Sequence, residues 1–154
     1  MQLRAPLLRV AMEPDRITQL FNPVGLYFDS STNSLVIANS GDNTIVRWVI
    51  GASSWTLVAG DIYGLSGSTS TLLNCPFDVT LDPMGNIYVA DRYNHRIQFV
   101  LAGQTNGTTI AGVTGVSGST STLLNNPLSL ALDSQLNLYV ADSYNYRVQK
   151  FPRY

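Results

Sequence analysis

Apolar and polar positions alternate with a period of two in three stretches that each follow a proline: Val24–Asp29 after Pro23, Phe77–Asp82 after Pro76, and Leu128–Asp133 after Pro127. That period belongs to a half-buried β-strand. In the second stretch it assigns Phe77, Val79 and Leu81 to one face and Asp78, Thr80 and Asp82 to the other. A turn rich in Asn, Gly, Ser and Pro follows each time, then a more uniformly apolar strand (Leu35–Ala38, Ile87–Ala90, Leu138–Ala141). A polar hairpin leads to a third strand (Ile45–Ile50, Ile97–Leu101, Val148–Phe151), and a fourth appears as Trp55–Ala59 and Thr108–Ala111. Asn106-Gly107 precedes the last of these and reads as a hairpin turn.

The pattern is an internal repeat of about 50 residues, the range of propeller blades rather than of helical arrays. Ser66–Asn74 recurs letter for letter as Ser117–Asn125. We place the repeats at approximately 22–73, 74–124 and 125–154, with Leu7–Ala11 as a candidate outer strand completing a blade. Four short antiparallel strands per repeat predict an all-β fold, a β-propeller of about three four-stranded blades. Three blades do not close a ring, since propellers need about four to eight. Three arrangements follow: a piece of a longer propeller, two chains forming a six-bladed ring, or an open arc.

Within this frame Pro76–Gln98 is similar to an NHL repeat, and Asn94-His95-Arg96-Ile97 resembles the signature for which that family is named. The third copy matches with Asp142–Gln149, whereas the first departs, carrying Asn39-Ser40-Gly41-Asp42-Asn43-Thr44. The resemblance implies a propeller, commonly six-bladed. It implies no single function, because such repeats serve as RNA-binding, protein-binding, receptor-ectodomain and lyase modules.

Composition narrows the choice. Only 12% of residues are charged, against about 25% in ordinary domains. Lys150 is the sole lysine, Glu13 the sole glutamate, and the net charge is −1. A basic surface for nucleic acid is therefore not expected. Met1–Arg9 makes a poor secretory signal, and no run approaches the roughly 20 apolar residues of a membrane helix.

Asp91 and Arg96, and likewise Asp142 and Arg147, flank a tight hairpin; the first repeat replaces both members together, with Asn39 and Thr44. Joint replacement marks a structural pair, because removing one member of a desolvated ion pair is far costlier than removing both. Hairpins and long crossings share one face, the top. This face offers Arg92, Tyr93, His95, Tyr144 and Tyr146 as candidate contacts for a protein, peptide or glycan, with Asp78 and Ser129 near the channel mouth. Tyr93 and Tyr144 either face the ligand or pack on neighbouring blades. A lone histidine cannot build a histidine-rich metal site, Asp29, Asp82 and Asp133 read as turn residues, and Cys75 reads as a spare thiol. The expected function is a non-catalytic binding or scaffold module without a cofactor. The alternative is a lyase- or hydrolase-type enzyme whose site forms only in a complete ring.

Overall fold

The computed structural model describes residues 16–153; the candidate strand Leu7–Ala11 lies outside the described residues. Among the described residues eleven strands form three antiparallel sheets. The first contains β1 (Pro23–Asp29), β2 (Ser34–Asn39), β3 (Thr44–Val49) and β4 (Thr56–Ala59). The second contains β5 (Pro76–Leu81), β6 (Ile87–Asp91), β7 (Arg96–Val100) and β8 (Gly107–Gly112). The third contains β9 (Pro127–Leu132), β10 (Leu138–Asp142) and β11 (Arg147–Phe151), and has three strands among the described residues. Each sheet is a meander in chain order, and β1, β5 and β9 lie side by side as inner strands. These are propeller blades stacked face to face.

The alternation explains the stacking. Val36, Ala38, Ile45 and Ala59 of blade 1 pack against Leu73, Val79, Leu81, Ile87, Val89 and Val100 of blade 2. Ala90, Ile97 and Ala111 of blade 2 pack in the same way against Leu124, Leu130, Leu138 and Val140 of blade 3. Each junction thus joins alanine, valine and isoleucine of one blade to leucine, valine and isoleucine of the next. The middle blade is buried on both sides.

Two local departures from simple alternation have identifiable causes. The register between β5 and β6 breaks between Pro76 and Asp78, which takes Phe77 out of the strand's core-facing row; Val79 and Leu81 remain buried. Asn106-Gly107 is not itself the turn before β8: the chain reverses around Leu101, whose carbonyl accepts the Gln104 N–H at 2.9 Å, with Gly103 at φ 77°. Gly107 is the first residue of the strand.

The turns at the far ends of the inner strands are built on Asp82 and Asp133. Asp82 Oδ1 accepts the Met84 and Asn86 N–H groups at 2.9 and 3.0 Å, and Asp133 Oδ1 accepts those of Gln135 and Asn137 at 2.9 Å each. In blade 1 Asp29 accepts from Ser31 and from Arg47, whose Nη1 lies 2.6 Å from Oδ2. These donors, the Ser31 hydroxyl foremost, hold the Asp29 carboxyl far below the usual carboxylate range.

Candidate functional site

The top face is assembled from short turns that follow β2, β6 and β10. In each, a single 3-10 turn (Ser40–Asp42, Arg92–Asn94, Ser143–Asn145) ends on a residue in left-handed backbone conformation: Asn43, His95 and Tyr146, at φ 53–55°. Non-glycine residues seldom occupy this region, and asparagine tolerates it best.

Beneath the turns lie the two ion pairs. Arg96 Nε donates to Asp91 Oδ2 at 2.8 Å, and both side chains are buried. The rest of the guanidinium is spent on the crossing: Nη1 donates to Ser68 O at 2.9 Å, and Nη2 to Thr69 O and Leu72 O at 2.9 and 3.0 Å. Asp91 Oδ1 accepts the Asn74 N–H at 2.7 Å, and Asn94 Nδ2 donates to both Asp91 Oδ2 and Gly67 O. Blade 3 repeats each of these bonds, while the Arg96 Nη1 bond to Thr114 Oγ1 at 3.1 Å has no counterpart among the described residues. Arg147 Nε donates to Asp142 at 2.8 Å, while its Nη atoms donate to Ser119 O, Thr120 O and Leu123 O, and Asn125 N–H donates to Asp142 Oδ1.

The exact repeat of Ser66–Asn74 as Ser117–Asn125 therefore has a physical cause. Both nonapeptides wrap a guanidinium with their backbone carbonyls. Burial pushes the Asp91 carboxyl up. At Asp142 burial is opposed by bonds from Asn145, the Asn125 N–H and Arg147, and these together hold the carboxyl down. In blade 1 Asn39 keeps one part of the role, accepting the Phe21 N–H at 2.6 Å, and its Nδ2 donates to Thr44 Oγ1 at 3.3 Å. The recurring Asn94 and Asn145, three residues after the aspartates, were the available sequence signal for this network.

The binding candidates divide into separate groups. Arg92, Tyr93 and Tyr144 come together. The Arg92 guanidinium lies over the Tyr93 and Phe77 rings, 4.7 and 5.3 Å from their centroids, and its Nη2 is 3.5 Å from Tyr144 Oη on the next blade. Such stacking favours a cation over an aromatic face. Arg92 Nε is buried without a hydrogen-bond partner, while Tyr93 and Tyr144 are half-exposed.

Asp78 and Ser129 form a second group on the inner strands. Asp78 Oδ2 accepts from Ser129 Oγ at 2.7 Å and from the Leu130 N–H at 3.1 Å, joining blade 2 to blade 3. Gly25 stands at the equivalent position of blade 1, where a Cβ would fall 2.6 Å from Asp78 Oδ1. Its missing side chain lets blade 1 approach.

His95 stands apart from both groups. Its Nδ1 accepts the Asn126 N–H of the following crossing at 3.2 Å, as Asn43 Oδ1 accepts the Cys75 N–H at 2.9 Å. Burial lowers the imidazole's affinity for a proton. Tyr146, third in this series, is 96% exposed. The Cys75 thiol lies 3.1 Å from the Ser40 hydroxyl, and its backbone is left-handed at φ 54°, where Asn22 and Asn126 stand in the other repeats. Among the described residues no group of three or more His, Cys, Asp or Glu is placed to hold a metal ion, and no helix is long and apolar enough to cross a membrane.

Stacked four-stranded meanders with adjoining inner strands define a sector of a β-propeller. Residues 73–98 and 124–151 match the NHL repeat, so the chain carries two such repeats, in blades 2 and 3. NHL repeat-containing protein 2 of Bos taurus is 39% identical over 98 residues, covering 58% of this chain and 13% of that protein.

Solved structures share the fold at low identity. A structural genomics protein of unknown function from Bacteroides thetaiotaomicron aligns with TM-score 0.70 and 15% identity, over 83% of this chain and 34% of the other. An auxiliary nutrient binding protein from the same organism gives 0.65 and 21%, over 81% and 36%. A virginiamycin B lyase from Staphylococcus aureus, a catalytically inactive H270A form with quinupristin, gives 0.57 and 11%, over 83% and 37%. The chain thus spans 13% of the curated relative and little more than a third of these solved chains.

Proposed function

We propose that the protein is a non-catalytic binding module that recognises a protein, peptide or glycan through the top face of its propeller. The observation that carries this reading is the Arg92–Tyr93–Tyr144 group. Two half-exposed phenol rings flank a guanidinium stacked on aromatic rings and held at the seam between two blades. Tyrosine and arginine are the residue types that dominate binding hot spots, and rigid aromatic rings lose little entropy when a ligand lands on them. The backbone beneath them is fixed by the caged arginines, so the surface is preformed. The nutrient-binding neighbour supports a ligand-binding use of the fold. A homodimer completing a six-bladed ring would extend this face to both halves of the ring.

The test is selection of ligands for the immobilised protein from a glycan array and a displayed peptide library. The variant Tyr93→Ala/Tyr144→Ala is then titrated against the selected ligand. At least tenfold weaker binding with an unchanged melting temperature is expected. Undiminished affinity would remove the top face from the reading.

A further inference from the structure

All three blades form the same turn after their second strand, and the turn does not need an arginine. In each, the second turn residue (Gly41, Tyr93, Tyr144) donates its N–H to a carbonyl shortly before the inner strand, that of Phe21, Asn74 or Asn125, at 2.8–3.2 Å. The first turn residue is Ser40 in blade 1 and Ser143 in blade 3, but Arg92 in blade 2. Phe77, whose ring lies under that guanidinium, is likewise replaced by Val24 and Leu128. Arg92 and its aromatic support are an addition to blade 2 that the fold itself does not require.

The charge of that addition is unmatched. Arg16, Arg47, Arg96 and Arg147 each have a carboxylate oxygen at 2.6–3.9 Å, whereas Arg92 has none among the described residues. Arg96 donates from all three guanidinium nitrogens. The Arg92 side chain has only the 3.5 Å contact to Tyr144 Oη, long for a hydrogen bond, and its Nε is buried without a partner. The acids of this face are engaged elsewhere: Asp91 and Asp142 hold Arg96 and Arg147, and Asp78 accepts from Ser129 and Leu130. A guanidinium fixed on aromatic rings with its donors unspent suits a planar oxyanion, because its fork of N–H groups matches the two oxygens of a carboxylate.

The surroundings select the kind of ligand. Arg96 and Arg147 are caged by carbonyls, and burial keeps the His95 ring neutral. The group therefore offers one positive charge, too few for a nucleic acid or another polyanion. Sugar hydroxyls call for directional polar partners, and the nearby amides are spent: Asn94 on Gly67 O and Asp91, Asn145 on Gly118 O and Asp142. What remains beside the guanidinium is the half-exposed rings of Tyr93 and Tyr144. A single carboxylate next to an apolar side chain is what an acidic residue in a peptide presents.

Building on the reading of the top face as a binding surface, we propose that Arg92 takes the side-chain carboxylate of an aspartate or glutamate in a peptide partner. The Tyr144 hydroxyl, accepting from Arg92, keeps its own hydrogen to donate to the same carboxylate. The Tyr93 and Tyr144 rings pack on the apolar residue beside it.

The test probes an array of random octapeptides, in amidated and free C-terminal forms, with the 154-residue protein. Selected peptides are then titrated by fluorescence anisotropy against the wild type, Arg92→Ser and Tyr93→Ala/Tyr144→Ala. Arg92→Ser copies blades 1 and 3, so its melting temperature should match that of the wild type. Amidated peptides that bind should share an Asp or Glu. Changing that residue to Asn or Gln should weaken wild-type binding about tenfold and leave binding to Arg92→Ser, itself about tenfold weaker, unaltered. Raising the salt from about 50 to about 500 mM should weaken the acidic peptide and not its amide counterpart. Peptides that need Tyr93 and Tyr144 but tolerate the amide change, or Arg92→Ser, overturn the carboxylate assignment and leave the top face as the binding surface. Peptides that bind the tyrosine variant undiminished overturn both. Binding by free C-termini alone, by an acidic glycan such as a sialoside alone, or by no peptide at all overturns the assignment of an acidic side chain.

Discussion

His95 occupies a place where its chemistry and its backbone make separate demands. The left-handed conformation at φ 55° suits asparagine, which blade 1 has at Asn43, and the ring must present an unprotonated Nδ1 to the Asn126 N–H. Protonation would set two donors against each other. Because burial lowers the folded-state pKa below its ordinary value of 6.5, stability is full above that value and falls as the pH drops beneath it. We expect the melting temperature to decline by a few degrees between pH 7.5 and 5. Replacement His95→Asn, which supplies an amide oxygen acceptor, should remove that component, as followed by scanning calorimetry of both proteins. An identical pH dependence in the variant would disprove the role. Little of this was legible in the sequence. His95 and Tyr93 look alike as polar loop residues, and only the backbone angle separates a clamp from an exposed ring.

The strands themselves were legible, because period-two alternation and the repeat report the same boundaries independently. The facing of Asp91 and Arg96 across their hairpin was legible from their joint replacement in blade 1. What could not be read was the third partner, since backbone carbonyls belong to every residue and leave no mark of their own. The crossing and the hairpin therefore form one element, held by one arginine. Removing it by Arg96→Ala leaves the Asp91 carboxylate buried and frees three carbonyls, at a cost of about 3–5 kcal/mol. Arg147 makes the same bonds with its side chain 30% exposed, so water can replace it, and Arg147→Ala should cost less. The pair Asp91→Asn/Arg96→Thr, which copies blade 1, should be milder than the sum of its single changes by about 1 kcal/mol or more. Urea denaturation of the set decides this, and strict additivity would contradict the pairing.

Across the whole molecule, stability should follow position in the stack rather than local sequence. Blade 2 lies between two blades, whereas blades 1 and 3 each adjoin one; on the outward side of blade 1, Ile37, Val46 and Trp48 are buried with Trp55 while Leu26 and Phe28 stay exposed. Amide exchange measured by mass spectrometry should be slowest in β5, β6 and β7, and faster in β1 and β11, although the strands are close to identical in pattern. Equal protection across the three blades of a monomer would mean that the junctions do not set the order. Homodimerisation would raise protection at β1 and β11, which links this measurement to the association state.

The duplicated nonapeptide has a consequence for how the chain finds its fold. Ser66–Asn74 and Ser117–Asn125 offer the same carbonyls to an arginine, and Arg96 lies about as far along the chain from Asn74 before it as from Ser117 after it. Neither chemistry nor loop-closure entropy, which varies only slowly with length, tells Arg96 which wrap is its own. The choice falls to the strands: only the preceding nonapeptide delivers Leu73 and Val79 to the seam beneath blade 1. Blade packing thus acts as the proofreader of an otherwise ambiguous pairing, and a chain whose first junction is weakened should accumulate compact, miswrapped species during refolding.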